Sequence, residues 1–253
     1  MSYETLIWEQ SGGSGRLTLN RPDSLNSWTT ELGHELRQVL EGEAADASVR
    51  AVMITGAGRG FSSGADLKSG FEPHPDDGRP NLRKELDEIY HPVITAVREL
   101  PKPIVAAVNG PAVGIGASLA FACDLVLAAE SAYFGLAFVN IGLMPDGGST
   151  ALVPAAVGKA RAFQMALLGE RVPAQTALDW GLINQVHPDD KLMDEATWSK
   201  QQDNWLPSKE DGDFIQSLMK QVVEPGKFAS WIAPPRVGID NKPGDFEYVK
   251  IAA

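Results

Sequence analysis

Three short stretches hold residues whose types and spacing could do chemistry. Pro145-Asp146-Gly147-Gly148 places one acid in a turn ahead of a helix-like segment. Burial there would raise the carboxyl toward neutrality and suit it to general base work. The same residue could instead be a turn aspartate capping the helix from Gly147. Gly114-Ile115-Gly116 opens a small-residue helix after Asn109-Gly110-Pro111. Unpaired N–H groups and the helix dipole favour an oxyanion at such a start, although tight helix–strand packing also asks for glycine. Phe61-Ser62-Ser63-Gly64-Ala65-Asp66-Leu67 follows a strand and a glycine loop. Its small residues would let a ligand approach the Ala65 N–H, or it is an ordinary strand-to-helix turn with Asp66 as cap. Backbone donors and a proton acceptor aimed at one small space could stabilise an oxyanion beside a proton transfer.

Other chemistry finds less support. Gly110, Gly114 and Gly116 lack the third glycine of a dinucleotide-binding turn. His34, His74, His91 and His187 have no metal-ligand spacing, and no Ser–His–Asp pattern is present. Cys123 is the only cysteine, which excludes an internal disulfide and a cysteine metal cluster and fits a reducing compartment.

The elements that must position these residues alternate. Residues 3–9 and 16–20 read as a β-hairpin across a Gly/Ser turn, and 28–40 as a helix with Leu32, Leu36, Val39 and Leu40 on one face. Residues 50–55 and 104–108 read as buried strands, and 124–129 as another apolar run. The segment 71–80 is a polar, proline-bearing surface loop. Residues 81–100 read as a helix that kinks or divides at Pro92. Gly158 separates helices at 149–157 and 159–168, followed by a short helix at 173–180 and a strand at 182–187. Alternating strands and helices predict an α/β core with its strand-to-helix turns gathered at one end.

Across 253 residues, 43% are apolar and 22% charged, ordinary for a globular chain. A net charge of −11 argues against nucleic acid or an anionic membrane as partner. The first ten residues have no basic, apolar leader pattern, and no run reaches the roughly 18 apolar residues of a membrane helix. The cytoplasm is the expected location.

From about Leu6 to Met193 the order and spacing of these stretches resemble the enoyl-CoA hydratase/isomerase (crotonase) superfamily: FSSGADL, LPKPIVAAVNGPAVGIGASLAFACDLVLAAESAYFG, GLMPDGGS and GERVPAQTALDWGLINQV. The resemblance implies an α/β fold, a spiral of ββα units over residues 1–193. A C-terminal helical region would occupy 194–253 and build homotrimers or hexamers. It also implies an acyl-CoA thioester substrate, whose oxyanion is held by the Ala65 and Ile115 N–H groups beside Gly114. No cofactor is expected beyond the CoA of the substrate. CoA contacts are implied for Asp23, Ser24, Leu25, Ser63, Asp66 and Leu67, although a basic residue often found in the family is replaced by Asp23.

The catalytic acids depart from the hydratase pattern. The two glutamates of hydratases correspond here to Ser118 and Phe138, which supply neither base nor acid at neutral pH. Asp146, eight residues after Phe138, falls where some members place a catalytic aspartate. The run NIGLMPDGGSTALVPAAVGKARA is most similar to isomerases of the phenylacetate pathway, which open a ring epoxide to an oxepin and shift 3-enoyl-CoA double bonds. The resemblance thus implies an isomerase with Asp146 as its acid/base. The alternatives are a hydratase or lyase of the same fold, a dehalogenase-type enzyme with Asp146 as nucleophile, and a non-catalytic acyl-CoA-binding protein. Beyond Met193 the match weakens: 214–223 can be a helix, and proline and glycine become frequent from 224 onward.

Overall fold

In the computed structural model, which describes residues 3–196, the chain winds through two sheets in repeated steps. Strands β1 (Leu6–Ser11) and β2 (Ser14–Leu19) form the expected antiparallel hairpin. From β2 the larger sheet is parallel, adding β3 (Ala51–Gly56) and then β4 (Ile104–Val108). The second sheet holds β5 (Ala112–Val113). The chain returns to the larger sheet in β6 (Leu125–Ala129) and crosses again for β7 (Tyr133–Gly135) and β8 (Val172–Pro173). Strand β9 (Gln185–His187) closes the larger sheet, whose order is β1-β2-β3-β4-β6-β9. The near-continuous burial of β3 and β4 matches their uninterrupted apolar runs, the pattern of a parallel sheet covered on both faces.

Each step leaves the larger sheet, touches the second layer, and continues into a helical segment. Ser62, after β3, bridges Ala112 of β5, and Ala112 in turn pairs with Phe134 of β7. Successive turns therefore align, as the ββα spiral requires. The expected strand at 182–187 shortens to β9. Leu182 and Ile183 are instead buried in the preceding turn, and Asn184 Oδ1 accepts the Val126 N–H at 2.8 Å.

Helix α1 (Thr30–Glu41) begins where Thr29 Oγ1 accepts the Leu32 N–H, and it ends at Gly42. Its stripe of Leu32, Leu36, Val39 and Leu40 is wholly buried. The segment 81–100 divides ahead of Pro92, through a change of helix type. Helix α2 (Leu82–Glu85) passes into a π-turn (Leu86–Tyr90) and then α3 (His91–Glu99). The His91 N–H reaches back to Leu86 O across this wide turn, so Pro92 enters α3 as its second residue, where a missing N–H is tolerated. Helix α4 (Ile115–Ala122) is buried on nearly every side. Helix α5 (Ser149–Leu168) breaks at Gly158 as expected, with φ 75° and ψ 168° there. Helices α6 (Ala174–Asp179) and α7 (Leu192–Ala196) complete the described chain.

Among the described residues, no helix is long and apolar enough to cross a membrane and no group of three or more His, Cys, Asp or Glu could hold a metal ion. The expected helix at 214–223, the irregular stretch after it and the assembly-building C-terminal region lie outside the described residues.

Candidate active-site cleft

The three stretches singled out by their chemistry converge. The turn carrying Ala65 leaves β3, the turn carrying Ile115 leaves β4, and the Asp146 turn precedes α5. All three line one cleft of about 370 Å³. Gly64 allows the first two to meet. With φ 92°, its added Cβ would stand 2.9 Å from the Val113 carbonyl oxygen and 3.7 Å from Gly114 Cα. Ala65 and Ile115 follow these two glycines directly, so their amides belong to touching backbones.

Those amides are free. Trp28 N–H donates to Gly64 O and Asp66 N–H to Trp28 O, a parallel bridge that leaves the Ala65 N–H unused. Ile115 is the first residue of α4, so its N–H has no acceptor within the helix. Among the described residues neither amide has a hydrogen-bond acceptor. The packing explanation for Gly116 is also correct, because a Cβ there would meet Ser62 at 2.6 Å. Gly114 serves the opening and Gly116 serves the packing.

Asp146 does not cap α5 with its side chain. The Asp146 carbonyl accepts from Ser149 N, Ser149 Oγ and Ser118 Oγ, and α5 has no side-chain cap. The carboxylate faces the cleft, and Oδ1 is buried without a partner. Burial pushes this carboxyl up to about 6. Gly147 (φ 57°) lets the turn rest on α4, since a Cβ there would lie 2.5 Å from Ile115 Cδ1.

Ser63, Ala65, Leu67, Gly114, Ile115, Phe138 and Asp146 all line the cleft. The Phe138 ring lies over the Ile115 loop, 3.9 Å from where a Gly114 Cβ would stand. Ser118 does not reach the wall. It is fully buried one layer behind, and its Oγ donates to Asp146 O at 3.0 Å, which ties the Asp146 turn to α4. Asp23, Ser24 and Leu25 also lie off the wall. Their turn is pinned to it through Ser63, whose N–H donates to Leu25 O at 2.9 Å and whose Oγ donates to Ser24 O at 3.1 Å.

Asp66 neither caps a helix nor lines the cleft, because no helix follows FSSGADL. Its Oδ2 accepts from Arg21 and Ser27, and its Oδ1 accepts from the Lys68 and Ser69 amides. Burial works to raise this carboxyl, but those hydrogen bonds outweigh it and hold it below the usual carboxylate range. Arg21, the basic residue beside Asp23, is thereby committed to Asp66.

The sequence gives no sign of the part of the lining supplied by a helical segment. Leu82, Glu85, Leu86 and Tyr90 reach the cleft from the α2 and π-turn segment. Glu85 is half-buried, and its carboxyl is raised first by burial and then by the neighbouring Glu72. The Tyr90 hydroxyl is pushed above its ordinary range by burial first, then by the charges of Glu85 and Asp146. No local sequence signal marks this segment, because the apolar spacing of 81–100 fits an ordinary helix and the π-turn shows only in the structure.

The sequence pattern described as enoyl-CoA hydratase/isomerase matches residues 9–227. The 1,2-epoxyphenylacetyl-CoA isomerase of Escherichia coli K12 is 44% identical over 193 residues, covering 76% of this chain and 73% of that protein. A probable enoyl-CoA hydratase of Rhodobacter capsulatus is 45% identical over 189 residues, covering 75% and 71%. Among solved structures, an enoyl-CoA hydratase from Mycobacterium avium subsp. paratuberculosis K-10 superposes with a TM-score of 0.68 at 47% identity, covering 77% of this chain and 72% of the other.

Proposed function

Because the chain belongs to the enoyl-CoA hydratase/isomerase family, we propose that it isomerises acyl-CoA thioesters, moving a double bond or opening a ring epoxide with Asp146 as acid/base. The observation that carries this reading is the state of Asp146, a cleft-facing carboxylate with a buried, unpartnered oxygen and a pKa raised to about 6. A proton-shuttling base works best when its pKa lies near the working pH.

In the double-bond shift, Asp146 takes a proton from C2 of a 3-enoyl thioester. The electron pair moves onto the thioester oxygen, forming a dienolate that accepts hydrogen bonds from the Ala65 and Ile115 amides. Each such donor contributes about 3 kcal/mol in the transition state. The protonated Asp146 then delivers its proton to C4, leaving the double bond conjugated with the thioester. Phe138 makes the pocket more apolar, which supports the raised carboxyl and disfavours water.

A second reading, hydration of a 2-enoyl-CoA, is favoured by one observation: Glu85 is another carboxylate lining the same cleft. Both are tested with 3-enoyl-CoA and 2-enoyl-CoA offered separately in deuterated water to the wild type and to Asp146→Asn. The isomerase reading expects conversion of the 3-enoyl ester that falls by about 10²–10⁴-fold in the variant, with ester affinity retained and little hydration of the 2-enoyl ester. Rapid hydration would establish the second reading. Binding without turnover of either double-bond isomer or a ring epoxide would leave an acyl-CoA-binding protein.

A further inference from the structure

The cleft is charged on one side of the ledger only. Its wall contains two acids, Asp146 and Glu85, and among the described residues lining it there is no Lys, Arg or His. Most of the remainder is apolar, with Leu82, Leu86, Phe138 and Ile141 among it. Lys84 and His34 act on Glu85 from outside the lining, and neither outweighs burial and Glu72. Lys84, adjacent to Glu85, donates to Glu72 Oε2, and Arg21 is held by Asp66.

Glu85 stands on the wall supplied by α2 and the π-turn, flanked there by Leu82 and Leu86. The oxyanion amides and Asp146 come from the loops after β3 and β4 and from the turn before α5. Glu85 is therefore placed to meet the acyl chain, with no part in holding the thioester. An acyl chain ending in a carboxylate would bring a third negative charge into a largely apolar cleft whose described lining holds no cation. Charges of like sign in such a space repel far more than they do in water. A neutral chain meets apolar wall and no such field.

We propose that Glu85 is a specificity-determining residue that makes this cleft select acyl-CoA thioesters with uncharged acyl groups and reject those with a second carboxylate at the far end of the chain. Rejection by an unpaired like charge is a repulsive specificity element, which discriminates without needing tighter contacts to the favoured ligand. The inference rests on the acyl-CoA reading above but not on the isomerisation step.

The test is equilibrium binding of hexanoyl-CoA and adipoyl-CoA, equal in chain length and differing in the terminal carboxylate, to the wild type and to Glu85→Gln at about pH 8, where carboxylates ionise. Wild type is expected to bind hexanoyl-CoA more tightly by on the order of tenfold or more. Glu85→Gln is expected to narrow that gap by about fivefold or more, through tighter adipoyl-CoA binding, with hexanoyl-CoA affinity kept within about twofold. Retained hexanoyl-CoA binding also shows that the variant is folded. Equal binding of the two esters by wild type, or a parallel shift of both in Glu85→Gln, overturns the proposal. If neither ester binds wild type, the acyl-CoA reading falls and takes this inference with it. If both bind with the expected preference but no isomer is turned over, the isomerase reading alone fails.

Discussion

Asp146 is kept in surroundings that work against its own charge, and that has a price in stability. Its folded pKa of about 6 lies above the ordinary 3.8, and burial is the cause. The ionised form is thus less favourable in the folded chain than in the unfolded one. The penalty is absent below the unfolded value, grows between the two and is complete above the folded one. Asp146→Asn is expected to raise the unfolding free energy at about pH 8 by up to about 3 kcal/mol, an advantage that shrinks as pH falls through about 6 toward 4. Urea titrations of both proteins across that range check it, and a pH-independent difference would remove the burial account. Asp146 was legible in the sequence because a lone acid in a Pro-x-Gly-Gly turn is a local signal. Asp66 was legible as a polar turn residue but not as the partner of Arg21, which lies 45 positions away. Glu85 left no local mark at all, since its place on the wall depends on how α2 is laid against loops distant in sequence.

At the scale of elements, the site depends on where α4 begins. Gly114 holds φ 55° and ψ −127°, a conformation open essentially to glycine alone. Gly114→Ala is expected to destabilise the fold by about 1–3 kcal/mol and, by moving the Ile115 amide, to lower kcat by about 10²-fold. Steady-state turnover of the 3-enoyl ester and thermal unfolding measure the two effects; unchanged turnover would show that this amide does not meet the oxyanion. The parallel strands could be read from apolar runs of strand length, and the break in α5 from Gly158. The π-turn could not, because apolar spacing in 81–100 fits an ordinary helix and the wider turn is imposed by Pro92 and by packing. The strands of the second sheet are two or three residues long, too short for any period to show.

For the molecule as a whole, the turns of the spiral are fastened at the same end that carries the cleft. Asn26 is fully buried with φ 55°. Its side chain accepts the Arg21 N–H at 2.8 Å and donates to Ala57 O and Gly60 O, while its carbonyl accepts from Ser62 Oγ at 2.9 Å. It joins the first turn of the chain to the loop after β3. Asn26→Ala strands these buried groups and leaves a Cβ-bearing residue without the local bonds that support a left-handed backbone. A loss of at least about 3 kcal/mol in urea unfolding is expected, and a loss below about 1 would contradict the fastening role. The two free amides proposed to hold the oxyanion extend the same dependence to function. Ala65 lies on the crossover leaving β3 and Ile115 on the crossover leaving β4, and parallel neighbours can pair only after a long loop has closed. The proposed anion pocket thus exists only when strands distant in sequence have paired. Any event that parts β3 from β4 therefore separates the two amides while the β1–β2 hairpin can persist, so ligand recognition is lost before local structure is.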